Sequence, residues 1–162
     1  MSPRAAARLE TLGFSKVYDY VAGKSDWLAA ALPSKGTSAN VLRAGDAVRG
    51  DDIVCHLGML VRDCAGRVRG AGKDVGIVVD DHHVVIGRVR GRALATDPNA
   101  RIEDVMQSGP STIRPDTLLE TVVETLRDSD LKSTLVTDPE GRLIGTLYLE
   151  DAERILGKHA NG

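Results

Sequence analysis

The stretch that decides the fold runs from Gly109 to Asp151, GPSTIRPDTLLETVVETLRDSDLKSTLVTDPEGRLIGTLYLED. It reads as strand, helix, strand, turn, strand, with a further helix opening at its end. Thr112-Ile113-Arg114 is extended. Pro115 fixes its own φ and biases Arg114 away from the α region, so a helix begins just beyond it. Asp116 or Thr117 is placed to cap that helix, and Thr117 with Glu120 forms a capping-box pattern. Leu118, Leu119, Val122, Val123 and Leu126 recur at helical spacing and predict one apolar stripe. Residues 133–137 (STLVT) are β-rich, and Asp138-Pro139-Glu140-Gly141 is a turn. Residues 142–149 (RLIGTLYL) make a second strand, antiparallel to the first across a tight hairpin. Glu150 or Asp151 starts the next helix, with Ala152, Ile155 and Leu156 inward and Gly157 as its stop.

This order resembles the cystathionine β-synthase (CBS) domain. The family's extended Thr-Val/Ile opening is matched by Thr112-Ile113, and its Pro-Asp helix start by Pro115-Asp116. Its LPVVD-like strand is matched by Leu135-Val136-Thr137-Asp138, and its hairpin by Gly141-Arg142-Leu143-Ile144-Gly145. The closing Gly-x-x-Thr/Ser-x-x-Asp is matched by Gly145 through Asp151, with Tyr148 in the hydroxyl position.

A second copy lies upstream, as an internal repeat should. Ala47-Val48-Arg49-Gly50-Asp51 aligns with Thr112-Ile113-Arg114-Pro115-Asp116, and Ile53, Val54, Leu57, Leu60 and Val61 repeat the helical stripe. The offset there is 65 residues, ending with Arg62-Asp63 against Arg127-Asp128. Over the hairpin, where Ile86-Gly87 matches Ile144-Gly145, it is 58. The difference of seven implies an insertion within residues 64–74 (CAGRVRGAGKD), expected as a long Arg/Gly-rich loop. The resemblance therefore implies an α+β fold: two tandem βαββα CBS units packed with pseudo-twofold symmetry. The divisions are an arm and linker at residues 1–39, unit 1 at 40–97 and unit 2 at 98–158. One unit cannot bury both faces of its small sheet, and pairing supplies the cover.

Composition narrows the function. The chain has 162 residues, 42% of them apolar and 27% charged, with a net charge of −2. That balance gives no electrostatic reason to expect nucleic acid or anionic lipid as a partner. Aromatic residues at 3% provide no platform for stacking bases. No apolar run reaches transmembrane length, and the N-terminus lacks an apolar signal core, so a cytoplasmic protein is expected. Cys55 and Cys64 then read as two reduced thiols, Cys55 on a helix-like pattern.

Upstream, residues 4–12 suggest a short helix. Residues 16–33 (KVYDYVAGKSDWLAAALP) suggest an extended, partly buried Val17, Tyr18 and Val21, then a Trp27 helix stopped by Pro33. This segment resembles the last part of rhodanese-like domains. Their catalytic-cysteine loop has no counterpart here, so the segment reads as a packing arm. Residues 33–40 read as a linker.

The CBS resemblance implies a cleft between units that holds an adenosine-containing ligand: AMP, ADP, ATP or S-adenosylmethionine. Carried over by residue, Asp151 takes the ribose, Thr112 and Ile113 meet the base, and Tyr148 stands at the hydroxyl position, bulky enough to fill phosphate space. The corresponding positions of unit 1 are Arg90 and Ala93, so the ribose carboxylate is missing there. Arg88, Arg90 and Arg92 alternate on one strand face, either as a solvated row or as a polyphosphate clamp. Asp151 could equally be a helix cap alone. His82-His83 falls in a turn where neighbouring side chains diverge, unsuited to chelation. Gly66 to Lys73 does not meet the phosphate-loop spacing. Adjacent Cys55 and His56 do not form a nucleophile pair.

Two functions follow. One is a non-catalytic regulatory sensor of an adenosyl ligand, expected to be a homodimer that signals to a protein target without a catalytic cofactor or metal. The other is a ligand-free dimerisation or docking module with degenerate clefts. A sulfurtransferase is the weakest alternative.

Overall fold

A computed structural model describes residues 3–18, 23–30, 32–33 and 41–160. The expected linker therefore lies outside the described residues apart from Pro33, and so does Val21. The arm carries helices α1 (Pro3–Thr11) and α2 (Gly23–Ala29). Trp27 Nε1 donates to the Pro33 carbonyl at 2.9 Å, which ties the end of α2 back on itself. Tyr18 is 79% exposed, where partial burial was expected.

The paired units follow. A 3-10 turn (Ala44–Ala47) leads into β1 (Val48–Arg49), then β2 (Val54–His56), α3 (Val61–Gly70), β3 (Val75–Val79) and β4 (Val85–Arg90). A second 3-10 turn (Gly91–Ala95) leads to α4 (Ile102–Val105), β5 (Gln107–Ser108), β6 (Thr112–Ile113), α5 (Leu119–Asp128), β7 (Ser133–Thr137), β8 (Leu143–Tyr148) and α6 (Leu149–Ala160). This is the α+β pair of units that the resemblance implies.

The repeat has one register throughout. The turn before β1 and α4 start 58 residues apart, and so do β2 and β6, α3 and α5, β3 and β7, and β4 and β8. The seven-residue insertion does not exist. Residues 53–61 do not form a helix, because Val54-Cys55-His56 is a strand parallel to Ile77-Val78-Val79. The expected Arg/Gly-rich loop is α3. Its stripe is Val61, Cys64, Ala65 and Val68, at i, i+3, i+4 and i+7, all buried. Cysteine and alanine were the apolar residues that masked it. The two cysteines are not free thiols: Cys55 on β2 is disulfide-bonded to Cys64 on α3, with both side chains fully buried.

The sheets are built by exchange. One has the order β1-β8-β7-β6 and the other β2-β3-β4-β5. So β1, at the start of unit 1, closes the sheet of unit 2 by antiparallel pairing with β8. In return β5, at the start of unit 2, closes the sheet of unit 1 on β4. The exchanged segments also satisfy helix ends. Leu119 N–H, at the start of α5, donates to the Leu42 carbonyl at 3.0 Å, and Val61 N–H of α3 donates to the Ala100 carbonyl at 3.0 Å. These orphan donors normally want a side-chain cap. A backbone carbonyl from the other half replaces it, so α5 begins at Leu119 with Leu118 as N-cap and the Thr117/Glu120 capping box does not form. Leu118 stays 46% exposed, outside the stripe. Gly157 does not stop α6, which continues to Ala160.

Three apolar layers result. Val78, Cys55, Val61, Cys64, Val68 and Ile102 pack on the helix side of unit 1. Val136, Leu147, Leu119, Val122, Val123 and Leu126 do so in unit 2, with Ala44 and Ala47 of the exchanged segment. Between the sheets lie Ile77, Val79 and Leu135. Strand side chains alternate, so β3 buries Val78 under α3 and Ile77 and Val79 against the other unit. Both faces are covered, which is why VGIVV is a continuous apolar run. The hairpin turns meet on the pseudo-twofold axis: Val85 N–H donates to the Gly141 carbonyl at 3.0 Å, and Leu143 N–H to the His83 carbonyl at 3.1 Å. Both carbonyls belong to residues with positive φ, Gly141 at 83° and His83 at 66°.

Candidate functional site

The antiparallel registers set the facing rows. In unit 1, Val75 pairs with Arg90 and Ile77 with Arg88. In unit 2, Ser133 pairs with Tyr148 and Leu135 with Thr146. All eight line one cleft of about 140 Å³, together with Asp52, Ile53, Lys73, Asp74, Ser111, Leu131 and Thr134. Symmetry-related positions therefore carry different chemistry: Arg88 and Arg90 on one wall, Thr146 and Tyr148 on the other.

Cations crowd one side. Arg88 Nε donates to Gln107 Oε1 at 3.0 Å. Burial first, and then the charge of Arg90, lower its pKa from the ordinary guanidinium value. Arg92 lies beyond the end of β4 in the second 3-10 turn, so the expected row of three reduces to two. Lys73 is held by Asp51, Nζ to Oδ2 at 2.6 Å. That bond raises the pKa of Lys73 and lowers that of Asp51.

Asp52 is the acid of the cleft. Thr146 Oγ1 donates to its Oδ1 at 2.5 Å, while Oδ2 is buried with no hydrogen-bond partner. Burial pushes its carboxyl pKa up, partly offset by the Thr146 bond.

Asp151 has a different setting. It is 5% exposed and sits between two guanidinium groups, Arg49 at 2.5 Å and Arg154 at 2.7 Å. The Arg49 approach is a close ion contact, and Arg154 makes an aligned hydrogen bond. The two arginines are half-exposed and form the lid over it. Arg49 first, then Arg154, hold the Asp151 carboxyl at a pKa of about 2. A folded-state pKa below the unfolded one stabilises the protein above pH ~4 and stops doing so as pH falls through the folded value. The stability difference between wild type and Asp151→Asn should thus be constant above pH ~4 and shrink between ~4 and ~2. Urea unfolding at a series of pH values measures it; a difference that grows on acidification would contradict the pairing. Arg49 also stacks on Tyr148, its guanidinium carbon 5.0 Å from the ring centroid. Because Arg49 rides on β1, this group joins the exchanged strand to α6.

Of the residues expected at the site, Arg88, Arg90 and Tyr148 line the cleft. Thr112, Ile113 and Asp151 are not among its lining residues. Ser111, directly before β6, reaches the cleft, whereas Thr112 and Ile113 belong to β6 itself, the outer strand beyond β7. Thr112 accepts a hydrogen bond from Thr137 Oγ1 at 3.3 Å, and Ile113 packs into the unit 2 core. The cleft residues that pattern reasoning missed are Asp52, Lys73, Ser111 and Thr146. With the uniform 58-residue register, Arg88 and Arg90 fall opposite Thr146 and Tyr148, a signal already present in the chain. His82 and His83 are exposed turn residues, and no cluster of three metal-ligating side chains occurs among the described residues. No helix among them is long and apolar enough to cross a membrane.

Residues 102–158 match the CBS domain family. That match spans most of unit 2, and the two units together have the fold of a CBS domain pair. The chain is 28% identical over 127 residues to the magnesium transporter MgtE of Thermus thermophilus, covering 72% of this chain and 27% of that protein. It thus spans about a quarter of the length of that curated relative. Among solved structures, the cytosolic domain of the Mg2+ channel MgtE in complex with ATP superposes with a TM-score of 0.65 at 26% identity, over 72% of this chain and 50% of the other. The CBS-pair protein CBSX2 of Arabidopsis thaliana superposes at 0.66 and 20% identity, over 75% and 99% of the two chains. A CBS domain pair in complex with 5′-methylthioadenosine and S-adenosyl-L-methionine superposes at 0.60 and 19%, over 73% and 98%.

Proposed function

We propose that the chain is a regulatory CBS pair that binds an adenosyl ligand in the cleft between its units and carries no catalytic activity of its own. The observation that supports this best is the composition of the cleft. Apolar residues on the strands (Val75, Ile77, Leu135) and just before β2 (Ile53) line it beside two arginines and a lysine. Such a wall suits a flat base, and guanidinium groups suit phosphate oxygens. The CBS pairs named above include complexes with ATP and with S-adenosylmethionine, which favours the same ligand class. Two cleft arginines and Lys73 favour a phosphate over a sulfonium cation, so ATP or ADP should bind more tightly than S-adenosylmethionine.

A thermal-shift panel tests this directly, because a ligand that binds only the folded state raises the melting temperature. ATP, ADP or AMP should raise it; no shift with any adenosyl compound would leave a docking module with a closed cleft. Arg88→Ala/Arg90→Ala should weaken ATP binding by about 1–3 kcal/mol, the scale of lost charge-assisted hydrogen bonds. Calorimetry at two salt concentrations measures it, and unchanged affinity would remove both arginines from the site. A homodimer signalling to a protein target belongs to the same proposal. Sedimentation equilibrium that gave only monomer would remove the dimer.

A further inference from the structure

In the adenosyl proposal, Asp151 stands at the position expected to receive the ribose. In the folded chain it is already committed. One oxygen faces Arg154 at 2.7 Å and the other Arg49 at 2.5 Å, and Asp151 does not line the cleft. To open it, Arg49 would have to leave both the carboxylate and the Tyr148 ring. Arg49 sits on β1, whose pairing with β8 holds it in place, Arg49 opposite Thr146.

Both carboxyls bury an Oδ2 without a hydrogen-bond donor, but the Asp151 Oδ2 has Arg49 as an ion partner at 2.5 Å and the Asp52 Oδ2 faces the cleft wall without one. Asp52 lines the cleft beside Lys73 and Thr146. Thr146 Oγ1 holds Oδ1 at 2.5 Å and so fixes the plane of the carboxyl, while Oδ2 is buried and lacks any donor. Folded proteins rarely leave a buried acceptor unmatched, and a ligand donor is one way to satisfy it. Each carboxylate oxygen can accept more than one hydrogen bond, so Oδ1 still has capacity beside Thr146. Vicinal hydroxyls present two donors at the spacing of the two oxygens.

We propose that Asp52, and not Asp151, is the carboxylate that accepts the ribose hydroxyls of the ligand, while Asp151 pins β1 to α6. This rests on the adenosyl reading of the cleft. Fifty-eight residues after Asp52 stands Pro110, which offers no acceptor side chain, so this ribose site has no twin in the second half of the cleft.

The test is calorimetry with AMP and 2′,3′-dideoxy-AMP as probes, alongside ligand-free melting. Wild type should bind AMP about tenfold or more tighter than the dideoxy analogue, the scale of hydrogen bonds to a charged acceptor. Asp52→Asn should bring the two probes to equal affinity with a ligand-free melting temperature no lower than wild type. Thr146→Val, which frees the carboxyl to rotate, should shrink the ratio severalfold. Asp151→Asn should keep the ratio and lower the melting temperature. Wild-type discrimination in Asp52→Asn, or a ratio erased in folded Asp151→Asn, overturns the assignment and leaves nucleotide binding intact. If wild type binds AMP, ADP and ATP not at all, the adenosyl reading fails first and this assignment with it.

Discussion

Gly145→Ala should destabilise the protein by about 3 kcal/mol or more, more than a well-tolerated overpacking change. Gly145 lies where the exchanged β1 crosses β8. A Cβ built there falls inside the shell of the Arg49 carbonyl oxygen and 2.5 Å from Val48 Cγ1. The backbone obstacle cannot rotate away, so β1 must separate from the sheet. The symmetry-related Gly87 faces β5 in the same way, with Met106 Sδ at 2.6 Å and the Gln107 carbonyl at 3.0 Å. A methionine tail can move, so Gly87→Ala should cost less. A Cβ built on Gly157, inside α6, meets no heavy atom within 4 Å, and Gly157→Ala should stabilise by up to about 1 kcal/mol. Urea melts of the three variants should give that order. Wild-type stability in Gly145→Ala would mean that β1 does not pair with β8.

The second large effect concerns the Cys55–Cys64 bridge. It joins β2 to α3 across a separation of nine residues, with Cα atoms 5.9 Å apart. Closing a loop of that size stabilises by about 2–3 kcal/mol in the chain-entropy account. Denatured, unreduced protein should titrate no free thiol. Cys55→Ala/Cys64→Ala should unfold at lower urea by that amount, and reductant should then have no further effect. Two thiols titrated in unreduced protein would show that the bridge is absent. The bridge occupies space made for it. At the matching positions unit 2 has Ile113, Val122 and Thr134, whereas unit 1 has Cys55, Cys64 and Gly76. A Cβ on Gly76 would stand 3.0 Å from Cys64 Sγ and 3.1 Å from Cys55 Sγ. Unit 1 thus replaces an aliphatic contact by a covalent one. The bridge also steadies the cleft, because β2 follows Asp52 and Ile53, and α3 leads to Lys73 and Asp74.

Unit 2 was readable from residues 109–151 because its signals are local. A Pro-started helix with a period-3.6 stripe and a strand-turn-strand with Asp-Pro-Glu-Gly need no partner to be recognised. Unit 1 is harder to read over residues 47–74, for equally local reasons. Its opening strand VCH is short and sits among apolar residues that also fit a helix. Its true helix is built on cysteine, alanine and valine among arginines and glycines. The chance pair Arg62-Asp63 against Arg127-Asp128 then supported a false offset.

At the site, Arg88 and Arg90 could be placed on one strand face from their alternation alone. Their orientation toward the cleft depended on which face of β4 the other unit covers. Asp52 carried no signal, since nothing near it in the chain indicates that Thr146, 94 residues away, donates to it. Asp151 was visible as a carboxylate at a helix start, yet its pairing with Arg49 comes from the strand exchange.

From its order of residues, then, the chain declares two copies of one α+β unit and the helix-and-hairpin content of the second. Folding in three dimensions decided the common register, the disulfide, the traded edge strands and the membership of the cleft. Periodicity reports which face of an element is apolar. It does not report which distant element covers that face, because the covering is settled by the packing of whole sheets.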